Sequence, residues 1–154
     1  MGIIGVMNEQ SSDNLNKDNK KKDLGPPLKI LLADDTAVNL ALATKLLKRR
    51  GHEITAVENG LLAFEAFKEA SFDVVLMDIH MPVMDGLEST SKIREFEASD
   101  TSRPATAIIA MTANNEQSDH EIYLKSGMSG IITKPLEIKN VVSQIREIIT
   151  SFST

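Results

Sequence analysis

From residue 28 onward the chain alternates short apolar runs with longer segments whose apolar residues recur at helical spacing. Five runs, 28–33, 52–57, 72–77, 105–111 and 130–132, are dominated by apolar and β-branched residues and are too brief for helices. They read as strands, and 72–77, with no alternation, as one covered on both faces. The segments between and after them predict helices over 37–50, from Asn59-Gly60 onward, and over 85–97, 115–126 and 138–150. Gly51 and Gly127 end the first and fourth helices as C-terminal caps do, and Pro135 starts the turn into the last. The expected core faces are Val38, Ala41, Leu42, Leu46 and Leu47 in the first helix, and Leu62, Phe64, Ala66 and Phe67 in the second. In the last helix they are Val141, Val142, Ile145, Ile148 and Ile149.

Strands alternating with helices over about 125 residues indicate an α/β domain in which a parallel sheet carries helices on both faces. The expected architecture is a doubly wound, flavodoxin-like, five-stranded parallel sheet of strand order 2-1-3-4-5. One domain, 28–150, accounts for it, with no internal repeat and a short tail at 151–154.

Residues 8–27 are rich in Asn, Ser, Asp and Lys and close on Gly25-Pro26-Pro27. They hold too little apolar surface to offset the entropy of ordering, so 1–27 reads as a disordered tail. The run Lys20-Lys21-Lys22 is a docking or targeting patch, or plain solvated linker. Met1-Gly2-Ile3-Ile4-Gly5-Val6 begins like a myristoylation signal, but Val6 stands where Ser or Thr is needed. No basic residue precedes the apolar start, which argues against a secretory leader.

The composition narrows the chemistry. With 154 residues and a formal net charge of -5, the chain lacks the basic surface that direct nucleic-acid binding needs. It has no Cys, so disulfide and thiolate chemistry drop out and a reducing compartment fits. No apolar run approaches the length of a membrane span, which argues against membrane insertion.

Polar residues gather where the strands end. Asp34 and Asp35 follow the first strand, Asp78 ends the third, Thr112 follows the fourth and Lys134 follows the fifth. In the expected strand order the first and third strands are neighbours, and the crevice at their C-terminal ends is where such sheets place ligands. Three carboxylates there raise one another's pKa values, and a bound cation relieves them. An all-oxygen donor set favours magnesium. Lys134 adds a positive charge and Thr112 a hydroxyl donor, so a carboxylate oxygen of Asp78 could attack phosphorus and form a stabilised aspartyl phosphate. Each residue also has a plainer role open to it. Asp34-Asp35-Thr36 could be an N-cap cluster, Asp78 a turn residue, Thr112 a helix cap and Lys134 an exposed lysine.

Taken together, these residues resemble the receiver domains of two-component response regulators over about residues 28–150. The family pattern is present as Asp34-Asp35, Asp78 with Met81-Pro82 and Asp85-Gly86, Thr112-Ala113, and Lys134-Pro135. The resemblance implies that Asp78 accepts a phosphoryl group from a phosphohistidine of a histidine kinase or histidine phosphotransfer protein. It implies that Asp34, Asp35 and Asp78 hold Mg2+, that Thr112 hydrogen-bonds the phosphoryl group, and that Lys134 pairs with it. Val38-Asn39, Leu76-Met77-Asp78 and Ser126-Gly127-Met128 look most like receivers of hybrid kinases and multistep phosphorelays, with fungal stress regulators among similar proteins.

One departure is Ile131, which stands three residues before Lys134 where the family usually has Tyr or Phe. It places the output coupling, not the phosphorylation, in question. His80, two residues after Asp78, either influences the attacking water or is a simple loop residue; His52 and His120 read as ordinary surface positions. The resulting expectation is a stand-alone cytoplasmic receiver, which could also be nuclear, that signals through a partner or relays the phosphoryl group onward and is not otherwise an enzyme. The alternatives are a receiver-fold binding module that is never phosphorylated and a magnesium-dependent phosphatase. The second wants an Asp where His80 stands.

Overall fold

The computed structural model describes residues 25–113 and 117–153. The myristoyl-like start, the three-lysine run, most of the expected disordered tail, residues 115 and 116 of the fourth helix, and Thr154 lie outside the described residues. The elements are β1 (Lys29–Ala33), α1 (Ala37–Arg49), β2 (Glu53–Val57), α2 (Gly60–Glu69) and β3 (Val74–Asp78). They continue as α3 (Gly86–Ser99), β4 (Ala107–Thr112), α4 (Gln117–Lys125), β5 (Gly130–Thr133) and α5 (Ile138–Ser153).

The five strands form one sheet in the order β2-β1-β3-β4-β5, and every pairing is parallel. The order 2-1-3-4-5 is the expected one. Parallel strands need helical crossovers, and the crossovers bury both faces of the sheet. All of β3 and β4 is buried, as their unbroken apolar runs require. On one face Ile30, Leu32, Leu76 and Ile109 pack with Leu47 of α1 and Val141 and Ile145 of α5. On the other, Leu31, Val75, Met77 and Ile108 pack with Phe67 of α2, Ile93 of α3 and Tyr123 of α4.

Two sequence expectations about the helices need correction. In α1 the stripe on the sheet is Leu40, Ala43 and Leu47, whereas Val38 and Leu42 are 73% and 55% exposed. Apolar residues occupy well over half of the circumference of α1, so composition does not single out a face, and the sheet takes the set at spacing i, i+3, i+7. In α2 the buried positions are Gly60, Ala63 and Phe67, Phe64 and Ala66 pack against the core as expected, and Leu62 is turned outward.

His52 also differs from its reading as a surface residue. It is buried, and its Nδ1 accepts the Leu28 N–H at 3.0 Å, while Glu53 N–H donates to Leu28 O at 2.9 Å. It supplies the acceptor that the first residue before β1 lacks in the ladder, a role that no local pattern announces. His120 is half-buried beside Tyr123.

Candidate functional site

The candidate residues meet because parallel strands deliver their ends to a single edge. β1 hands over to Asp34 at Ala33, and Ala33 lies in register with Met77, the residue before Asp78. Asp34 and Asp78 are therefore neighbours by register alone. Asp34 Oδ1 accepts the Thr36 N–H at 2.9 Å, a side-chain turn that aims the carboxylate back over the sheet edge. Thr36 precedes α1 in extended conformation and makes no side-chain cap bond, so the N-cap reading of this cluster is only partly met.

Asp34 and Asp78 are both buried, at 5% and 7% exposure, and Asp35 is exposed. One oxygen from each of the three carboxylates lies within 4.8 Å of the others. Asp78 Oδ1 accepts the Ile79 N–H at 2.8 Å. Its Oδ2 accepts from Lys134 Nζ at 3.2 Å, and the same Nζ is 3.6 Å from Asp34 Oδ2. Lys134 is held there by its own backbone, whose N–H donates to Thr112 O at 2.8 Å. Thr112 itself is buried at the end of β4, one residue beyond the Met111 that pairs with Asp78. His80 is exposed.

Burial pushes the Asp78 carboxyl above the ordinary aspartate range. The Lys134 ammonium opposes this, the Asp34 carboxylate adds to it, and the Ile79 N–H opposes it weakly. One lysine against three carboxylates leaves two formal negative charges in a partly desolvated cleft. A divalent cation of hard-oxygen preference matches both that charge and that donor set.

The loop after Asp78 is clamped from two sides. Gly86 N–H donates to Ile79 O at 2.8 Å, and Gly60 N–H at the start of α2 donates to Met84 O at 2.9 Å. Ser89 of α3 donates its hydroxyl to Gly60 O at 2.7 Å. A Cβ at Gly86 would collide with the Asp78 carbonyl oxygen, and one at Gly60 would approach Asp85 O to 2.7 Å. Between the clamps Met84 N–H donates to Pro82 O at 2.7 Å, a three-residue turn that forces Val83 to φ 71. Such a conformation is rare for a β-branched residue. Val83 is also 75% exposed.

Sequence reading singled out Gly86 through the Asp85-Gly86 pattern but missed Gly60, Ser89 and Val83. The Asn59-Gly60 pair, read only as a helix start, was the one signal for Gly60, and Asn59 does cap α2 by accepting the Leu62 N–H at 2.9 Å. Asp85 likewise caps α3, accepting the Glu88 N–H at 2.8 Å.

The model of the response regulator receiver domain matches residues 30–146, and the chain belongs to that family. The sensor protein GacS of Pseudomonas syringae pv. syringae is 37% identical over 130 residues, which cover 81% of this chain and 14% of that protein. Transcription factor SKN7 of Candida albicans is 44% identical over 110 residues, covering 71% of this chain and 19% of that one. The chain spans between 6% and 19% of the length of these and similar curated relatives.

Among solved structures, a co-crystal holds the Saccharomyces cerevisiae histidine phosphotransfer protein Ypd1 with the receiver domain of its downstream response regulator Ssk1. The match has a TM-score of 0.76 and 27% identity, over 86% of this chain and 95% of that one. The receiver domain of the Pseudomonas aeruginosa sensor histidine kinase PA1611 matches at a TM-score of 0.69 and 30% identity, over 81% and 99%. It has a magnesium ion coordinated in its active-site cleft.

Proposed function

We propose that this chain accepts a phosphoryl group on Asp78 from a phosphohistidine of a histidine kinase or histidine phosphotransfer protein. The observation that carries this reading is a buried Asp78 carboxylate facing Lys134, with Asp34 and Asp35 oxygens within 4.8 Å. A carboxylate oxygen of Asp78 attacks phosphorus as the P–N bond to the donor histidine breaks, and the imidazole leaves with the bonding electron pair and takes up a proton. The product is an aspartyl phosphate.

Lys134 pairs with Asp78 before transfer and with a phosphoryl oxygen after it, since its backbone tether to Thr112 O keeps the ammonium in place. The Thr112 hydroxyl is the neutral donor to the same group. Asp34, Asp35 and Asp78 would hold a magnesium ion, which supplies charge neutralisation for the incoming phosphoryl oxygens. The bound magnesium of the PA1611 receiver and the Ypd1–Ssk1 pairing support the cation and the class of donor. Val38 and Leu42 of α1 and Val83 of the Asp78 loop, exposed and apolar, give a donor protein its landing surface. Ile131 is half-buried against the cluster that holds Tyr123 and Met128, so Thr112 is the residue that carries the change outward to α4, β5 and α5. Amide shifts confined to the Asp78 loop on phosphorylation would overturn that route.

The test of the acceptor is intact mass after incubation with magnesium and a small phosphodonor, beside an Asp78→Asn variant and a metal-free control. One phosphoryl adduct is expected, dependent on magnesium and lost in the variant. No adduct even with a phosphohistidine protein as donor would reduce the chain to a binding module.

A further inference from the structure

On the face shared by α1 and α5, beside the Pro135-Leu136 turn, the protein has a cavity of about 290 Å³. Its wall is aliphatic, built from Leu32, Leu42, Ala43, Leu46, Met111 and Leu136, and Asp34 and Lys134 also line it. Leu42 is more than half exposed there. One end of the groove is the Asp34 and Lys134 site, and its aliphatic wall takes no part in the phosphoryl transfer itself.

The chain has its own candidate to fill it. Before residue 25 the apolar residues are concentrated at the start, as Ile3, Ile4, Val6 and Met7, while residues 8–24 contain only Leu15 and Leu24. The described chain enters on the face of the cavity. Leu28 packs in the cluster of α1 and α5, and Pro26 O accepts from Arg146 Nη2 of α5 at 2.8 Å. Arg146 lies eight residues along α5 from Ile138, about 12 Å at the helical rise. The seventeen residues 8–24 can span up to about 56 Å when extended, several times the distance to be covered. Tethers of this kind hold a segment at an effective concentration in the millimolar range, so a weak site suffices. Ile122 and Leu124, also exposed, belong to α4 on the opposite face.

We propose that residues 3–7 dock in the groove between α1 and the Pro135-Leu136 turn, with their aliphatic side chains against Leu42, Leu46 and Leu136. Docked there, the segment covers Leu42 and competes with a protein phosphodonor, a consequence that rests on the phosphoacceptor reading. The docking itself does not.

The chain has no cysteine, so Gly5→Cys in the full-length protein accepts a single nitroxide label. Methyl spectra are expected to show strong broadening at Leu42, Leu46 and Leu136 relative to Ile122 and Leu124. The broadening is expected to survive tenfold dilution and to disappear when Ile3→Asp and Ile4→Asp are added to the labelled chain. Broadening that is absent, uniform, or strongest at Ile122 and Leu124 would overturn the proposal. So would broadening that passes only from labelled to unlabelled chains in a mixture and fades on dilution, which would give the groove to a second copy. Because no phosphoryl group enters the experiment, its failure leaves the Asp78 reading untouched.

Discussion

The two edges of the sheet, made by the same strands, use their polar groups in opposite ways. At the entry edge side chains close the starts of β1 and β4. His52 and Asp73 accept from the N–H groups of Leu28 and Lys29, at 3.0 and 2.8 Å. Glu97 accepts from Thr106 N–H at 2.8 Å, while Arg94 donates to Thr106 O at 2.8 Å and to Gly127 O at 3.0 Å. Arg103 reaches Phe67 O and Ala70 O at the end of α2 and lies over the Phe67 and Phe96 rings. At the exit edge two of three clustered carboxylates share one lysine, and a valine is bent into the left-handed region. One edge is organised for stability, and the other concentrates charge and strain.

If this contrast is right, substitutions at the two edges move stability in opposite directions. The largest effect belongs to Arg94→Ala. It strips Gly127 O and Thr106 O of a charged donor and leaves Glu97, whose side chain is 8% exposed, without its partner. Urea unfolding should show a loss of about 3 kcal/mol, with phosphoryl incorporation at Asp78 retained in the folded fraction. A loss below about 1 kcal/mol would remove the entry edge's claim to stability.

Asp78→Asn should act in the other direction. Because burial raises the Asp78 carboxyl, the folded chain keeps this proton to a higher pH than the unfolded chain does. The stability credited to that proton is complete below the unfolded value of about 3.9 and is lost as pH rises through the folded one. Without metal, the variant should therefore melt above the parent at pH 7, and the gap should close as pH falls toward 4. A variant that melts lower at pH 7 would mean that Lys134 outweighs desolvation.

The smallest effect is Val83→Gly. Release of a β-branched residue from φ 71 gains about 1–3 kcal/mol, and the added chain entropy of glycine offsets about 0.5–1. A net gain of about 1 kcal/mol in urea unfolding is expected, and a net loss would show that the turn at Val83 is unstrained.

The strands and the placement of the five candidate residues at one edge were legible because both rest on coarse signals. An apolar run too short to be a helix has few other fates in a chain that alternates with amphipathic segments, and Asp34, Asp78, Thr112 and Lys134 are placed by where those runs stop. The inward face of α1 was not legible, because Val38, Ala41 and Leu42 are as apolar as Leu40, Ala43 and Leu47, and only the sheet decides between them. His52 was hidden for a different reason. Its partner is the N–H of Leu28, 24 residues away, and nothing near residue 52 reports an acceptor needed there. Val83 owes its conformation to a turn closed between Pro82 and Met84 and to clamps on either side, a tertiary demand that a valine in sequence does not announce.

Those clamps have a kinetic consequence. Because Gly86 is tied to Ile79, and Met84 to Gly60 and through it to Ser89, the segment after Asp78 cannot open to solvent unless α2 and α3 lift from the sheet. It belongs to the same cooperative unfolding unit as the core strands and not to the fraying connections. A change at Asp78 would then be felt by two helices as a rigid displacement, where an untethered loop would have absorbed it.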